Sequence, residues 1–120
     1  MKSIILLIAF CSSFGFSLKE SYNVTGKASF YHSKFQGRKT ASGEVFDQNQ
    51  LTAAHKSLPF GTMVEVRNLK NDSVIIVKIN DRLSQKSAFV IDLSLKAAKH
   101  LNFIRDGHAK VKVEAIQPEN

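Results

Sequence analysis

Between Val24 and Ile116 apolar residues recur at every second position in several stretches. "VTGKASFYH" sets β-formers on both sides of Gly26, and "TMVEVRNL" sets Val64 and Val66 against Glu65 and Arg67. "SVIIVKIN" alternates Ile75, Val77 and Ile79, and "HAKVKVEAI" alternates Val111 and Val113 with lysines. A period of two is the pattern of a strand buried on one face, so the chain is predicted to be mainly β. "NLKNDS" separates two of these runs, and its Asn71-Asp72 pair can supply the positive φ of a tight turn. Met63 to Asn80 is therefore predicted as a hairpin. One segment has helical spacing instead: "DLSLKAAKHLNF", with Ser94 as N-cap, Leu95, Ala98 and Leu101 on one face, and Lys96, Lys99 and His100 towards the C-terminal half. Residues 32 to 60 show neither period and read as long loops, punctuated by Gly37, Gly43 and Pro59-Phe60-Gly61. Short strands with one short helix fit a small closed barrel, because closure removes exposed sheet edges.

The first residues belong to a different pattern. "MKSIILLIAFCSSFGFS" has Lys2, an apolar run from Ile4 to Phe10, then small residues, which is the layout of a secretory signal peptide over residues 1–17. The apolar run is shorter than the roughly 20 residues that a spanning helix needs. Gly15 and Ser17 suit ordinary cleavage before Leu18, while "IAFC" resembles a lipobox that would make Cys11 a lipidated first residue. Residues 18–23 read as a linker and 24–117 as the folded domain. Export to the periplasm or cell envelope is the expectation, with the membrane contacted only through the signal or a lipid on Cys11. Cys11 is the single cysteine, so no disulfide and no thiolate zinc cluster can form. The net charge of +7 attracts polyanions without naming one. With an export signal and no nucleic-acid-binding motif, a nucleic-acid partner is not expected.

Acids and histidines in loops or at strand ends are the candidate chemistry. Asp81 follows "IIVKIN", where a buried strand ends, and Asp92 closes the apolar stretch "AFVID". A carboxyl titrates near pH ~4 unless burial or a like charge raises it, and two aspartates brought together can split into different protonation states. Each also has a structural reading: Asp81 as the partner of Arg82 or Lys78, Asp92 as a helix cap. Glu44 and Asp47 sit in the polar loop "TASGEVFDQNQ" and read as solvated acids. His55 in "TAAH" has no HExxH or second histidine at ligand spacing, so a metal site is not expected, and packing and acid/base roles both stay open.

From about Gly26 to Ile116 the chain resembles the rare lipoprotein A (RlpA) family of septal-ring lytic transglycosylases. The motifs carrying the resemblance are "TASGE", "LTAAHKSLPFGT", "V.NL.N..S", "NDR" and "DLS..AA", in that order. It implies a six-stranded double-psi β-barrel shared with barwin-like proteins and expansins, here with one or two short helices. It implies cleavage of the MurNAc to GlcNAc bond in peptidoglycan strands stripped of stem peptides, leaving 1,6-anhydro ends, without metal or cofactor. Because the substrate's own C6 hydroxyl attacks, one carboxyl can act as acid and then base. The resemblance places the catalytic positions on Asp81, Glu44 and His55, with Asp81 as acid/base. Asp92, Asp47, Tyr31 and Arg82 fall to substrate binding, Asp92 tuning the electrostatics of the groove.

The departures from the family pattern are specific. Phe30 and His32 stand where the family has Trp and Gly, Leu83 and Ser84 replace the Gly-Pro after "NDR", and Phe89 replaces an Arg before "DLS". From the sequence, no C-terminal peptidoglycan-binding (SPOR) repeat is expected after residue 117, and a monomer is expected. The competing function is a non-catalytic, expansin-like module that binds or loosens the wall.

Overall fold

The computed structural model describes residues 22–116, so the signal peptide, Cys11 and most of the linker lie outside the described residues. Six strands form a closed barrel: β1 (Asn23–Phe30), β2 (Thr52–His55), β3 (Met63–Asn68), β4 (Val74–Arg82), β5 (Ile91–Leu93) and β6 (Ala109–Ala115). Around the barrel the order is β1-β5-β2-β4-β3-β6, with β1–β5 and β2–β4 parallel and the other pairs antiparallel.

The alternating runs become strands as the period predicts. Val64, Val66, Val77, Ile79, Val111 and Val113 are all fully buried inside the barrel, while Ile76 faces out. The β3–β4 hairpin turns through residues 69–73, and Asp72 takes the positive φ of 65°. The helix α1 (Leu95–His100) is shorter than the spacing predicts. Ser94 caps it by accepting from the Ala97 N–H, and Ala97, Ala98 and Leu101 close one end of the core.

One strand departs from the sequence reading. "TAAH" is β2, not loop, and all four of its residues are buried. Alternation is invisible there because both faces are covered: Ala53 packs into the barrel core, Ala54 under an outer cluster of Tyr31 and Phe46. The alanines are small because β2 is pressed from both sides.

Gly26 is needed for a related reason. A Cβ built there would lie 2.5 Å from Cγ1 of Val90. Valine is stiff about χ1 and cannot swing away freely. Gly26→Ala is therefore expected to destabilise by about 1–3 kcal/mol, lowering the thermal midpoint by roughly 5–15 °C in a melt followed by circular dichroism.

Candidate active site

Three neighbouring rows of residues run across β1, β5, β2 and β4, and their order decides which side chains can meet a substrate. Phe30, Leu93, Ala53 and Ile79 lie in register and point into the core. One residue along, Ser29, Asp92, Ala54 and Asp81 form the next row, which faces outward because successive side chains alternate. Ala28, Ile91 and His55 follow and turn inward again at 0–1 % exposure, while Arg82, paired with His55, stays exposed.

Asp81 reaches the outer row only through an irregularity. Ala53 pairs with Ile79 but Ala54 pairs with Asp81, so Asn80 is an extra residue on β4. Strict alternation would send Asp81 to the same side as Ile79; the bulge turns it out. Asp81 is the penultimate residue of β4, at the strand end that the sequence expects.

Hydrogen bonds then fix its carboxyl. Oδ2 accepts from the Tyr31 hydroxyl at 2.6 Å, and Oδ1 accepts from the Ala41 N–H at 2.8 Å and its neighbour's Arg82 N–H at 2.9 Å. The surface ion pair with Lys78 or Arg82 does not form: Lys78 goes to Glu44 Oε2 at 2.8 Å. Asp92 lies across β2 from Asp81, and its Oδ1 accepts from the Ser29 hydroxyl at 2.9 Å. It is no helix cap, since Ser94 fills that position. Burial, reinforced by the charge of Asp81 and opposed by the Ser29 hydrogen bond, pushes its pKa up to about 6.

Tyr31 does not offer a face to a sugar. Its ring is 7 % exposed and stacked on Phe46 at 4.1 Å, with Phe35 edge-on at 5.8 Å. It aims a hydroxyl at Asp81, and burial together with the Asp81 and Asp92 carboxylates holds that phenol far above its usual range. Tyr31→Phe keeps the stack and loses the bond. A hydrogen bond to a charged group is worth about 1.5–3 kcal/mol, so the thermal midpoint in a melt followed by circular dichroism is expected to fall by roughly 6–20 °C.

Glu44 approaches the same strand from the loop after the 3-10 turn at Ser33–Phe35. Its two oxygens are occupied by Lys78 Nζ and by Asn80 Nδ2 at 3.1 Å, and these bonds lower its pKa. It ties the loop to the bulge. Asp47 Oδ1 accepts from the Asn49 N–H at 2.9 Å and organises its own turn. Both acids line a hollow of about 400 Å³ with Thr52, Lys78, Asn80 and Lys96, beyond the crossing loop.

The structure places the His55 ring on the inward row, away from the outward row of Asp92, Ala54 and Asp81. His55 is 1 % exposed on the inward row. Nδ1 accepts from the N–H groups of Ser57 and Leu58, both at 3.0 Å, so the proton sits on Nε2, which donates to the Tyr22 hydroxyl at 2.8 Å. Burial first, then Arg82 and Lys56, lowers its pKa to about 4, and the ring is neutral. Its carbonyl accepts from Arg82 Nη1 at 3.2 Å and from the Leu83 N–H, holding the segment after Asp81. Arg82 itself turns away from the outer row and stacks on Phe60 at 4.2 Å. Phe30, at the position of the family's Trp, packs against Phe103 at 5.9 Å. Ser29, Asn80 and Lys78 were missed from sequence; only the strand register joins them to the site.

Residues 23–113 match the family model described as lytic transglycolase. The chain belongs to the lytic transglycolase family. It is 50% identical over 96 residues to the endolytic peptidoglycan transglycosylase RlpA of Pasteurella multocida, an alignment covering 80% of this chain and 33% of that protein. It is 49% identical over 98 residues to the RlpA of Pseudomonas aeruginosa (strain UCBPP-PA14), covering 82% and 29%. The chain thus spans about a third of the length of these curated relatives of the lytic transglycolase family. Among solved structures, a Streptomyces papain inhibitor superposes with a TM-score of 0.65 at 24% identity over 80% of this chain and 96% of its own. The expansin of Clavibacter michiganensis superposes at 0.64 and 19% identity, over 82% and 52%. These two share the six-stranded double-psi β-barrel with the lytic transglycolase chain, and at that identity they bear on the fold alone.

Proposed function

We propose that this chain is a lytic transglycosylase that cleaves the MurNAc to GlcNAc bond of peptidoglycan and leaves 1,6-anhydro-MurNAc ends. The observation that carries the reading is the outward pair Asp81 and Asp92 on either side of Ala54, in a chain about half identical to transglycosylases named for peptidoglycan. Two proton movements are required: one onto the glycosidic oxygen, one away from the C6 hydroxyl that attacks C1. Asp81 stands at the reacting bond, aimed by Tyr31 and by the Ala41 and Arg82 N–H groups. Glu44 is a positioning residue acting through Asn80, and His55 is one acting through its carbonyl on Arg82 and Leu83. Glycan strands stripped of stem peptides are the proposed substrate and the cell envelope the proposed site of action, in keeping with the printed activity of the relatives. No helix among the described residues is long and apolar enough to cross a membrane.

Mass spectrometry of purified sacculi digested with the protein tests this. New anhydro ends are expected. Glycan that is bound or swollen with no new ends would overturn the reading in favour of an expansin-like module.

A further inference from the structure

The strands β1, β6 and β3 make the face of the barrel opposite the carboxyl row, since β6 stands three places around the ring from β2, which carries Ala54. Their outward side chains fall into matched rows. Glu114 lies opposite Glu65, Lys112 opposite Arg67, and Lys110 opposite Lys27. Like charges directly across a ladder repel and destabilise it, so each of these rows calls for counter-charge.

The first two rows supply each other. Arg67 reaches Glu65 at 3.8 Å and Asp72 at 3.3 Å, and Lys112 reaches Glu114 at 3.6 Å. The third row has no such answer. No carboxylate pairs with Lys27 or Lys110 among the described residues, although both are exposed and face each other across the ladder, their Cα atoms about 5 Å apart. The hairpin turn brings a third lysine beside them, because the Leu69 N–H donates to the Lys110 carbonyl and the Lys70 N–H to Asn68 Oδ1. Lys70 meets Asp106 at 3.3 Å, an exposed pair that water and salt screen.

Lys27, Lys70 and Lys110 line one hollow of about 590 Å³ together with Asn68, Asp106 and His108. Small-molecule sites have volumes of this order. Three ammonium groups stand against one carboxylate there, an excess of two positive charges before His108 is counted. That excess selects an anion, and the residue type narrows which. Lysine ammoniums are compact point charges that gather around a phosphate from several directions, whereas a carboxylate is matched best by the planar fork of arginine, and the hollow is lined by none. A bare phosphate would leave most of the space empty. A phosphate ester of glycerol occupies more of it, and its hydroxyls can donate to Asp106.

We propose that this hollow binds a glycerol phosphate group through Lys27, Lys70 and Lys110, on the face of the barrel away from Asp81 and Asp92. The bound phosphate supplies the counter-charge that the Lys27 and Lys110 row lacks. It holds the domain by one face and leaves the carboxyl row pointing the other way. The site goes beyond the glycan-cutting reaction and does not depend on it.

The test is a ¹H–¹⁵N titration of the protein with sn-glycerol 3-phosphate at constant ionic strength, beside co-sedimentation with vesicles of phosphatidylglycerol or of phosphatidylcholine. Saturating shifts are expected at the amides of Lys27, Lys70, His108 and Lys110, and none at Asp81 or Asp92. The double variant Lys27→Gln, Lys110→Gln should bind at least about tenfold more weakly with an unchanged circular dichroism spectrum, since both side chains are exposed. The vesicles separate the two sources of the group. If phosphatidylglycerol pellets the wild type but not the double variant, and phosphatidylcholine pellets neither, the group is a lipid headgroup; saturation by glycerol 3-phosphate without pelleting makes it a soluble ester. Shifts that never saturate together with no pelleting would overturn the proposal, as would a double variant that responds like wild type in both measurements.

Discussion

Asp81→Asn is expected to cut the release of anhydro ends by a factor of ~10²–10⁴, the usual weight of a positioned acid or base. Asparagine keeps the shape of the side chain and one carbonyl oxygen. That oxygen can take the place of Oδ1 between the Ala41 and Arg82 N–H groups. The amide then meets the Tyr31 hydroxyl, which can rotate to accept, so the fold should survive. What disappears is the capacity to take up a proton. The measurement is the initial rate on purified glycan beside a thermal melt of the same protein. Full activity with a normal melt would remove Asp81 from the reaction.

His55→Ala should act mainly on stability. It strips the acceptor from the Ser57 and Leu58 N–H groups, removes the partner of Tyr22 and leaves a hole on the inward row. Each buried donor left unpaired costs about 1–3 kcal/mol before the cavity is counted. A total of about 3–5 kcal/mol is expected, or roughly 15–30 °C in the thermal midpoint of a domain this size. The pH dependence separates this histidine from the aspartates. Its folded pKa of about 4 lies below the ordinary 6.5, so its stabilisation is complete above 6.5 and is lost as pH falls through 4. Asp92 runs the other way: raised from 3.8 to about 6, it contributes stability at low pH that is lost as pH rises through 6. The gap between wild-type and His55→Ala melts should therefore be wide at pH 7.5 and narrow near pH 4. An equal gap at both would mean that His55 titrates alike in the folded and unfolded chain.

The strands β3, β4 and β6 are legible in the sequence because one face of each meets solvent and the other the core. β2 is not legible, since a strand covered on both faces has no alternation to show, and β5 is only three residues long. The bulge at Asn80 leaves no periodic trace either, so the outward turn of Asp81 is not legible in the sequence. Glu44, Asp81 and Asp92 can be found from family motifs, but their hydrogen-bond partners cannot: Tyr31 lies 50 positions from Asp81, and Ser29 63 positions from Asp92. His55 looks catalytic by its motif. Its place on the inward row and the partners of its two nitrogens are legible only in the structure.

The barrel order also bears on how the molecule comes into being. Only β3 and β4 are neighbours both in sequence and in the barrel; every other pairing joins segments separated by at least one other strand. Local pairs close quickly and distant ones slowly, because loop-closure entropy must be overcome before contacts form. The hairpin is thus the natural early structure, and it holds Asp81 alone. Asp92 arrives on β5 and Tyr31 after β1, so the Asp81–Asp92 pair exists only once the parallel β1–β5 and β2–β4 pairings have formed. A half-folded chain therefore carries no assembled site.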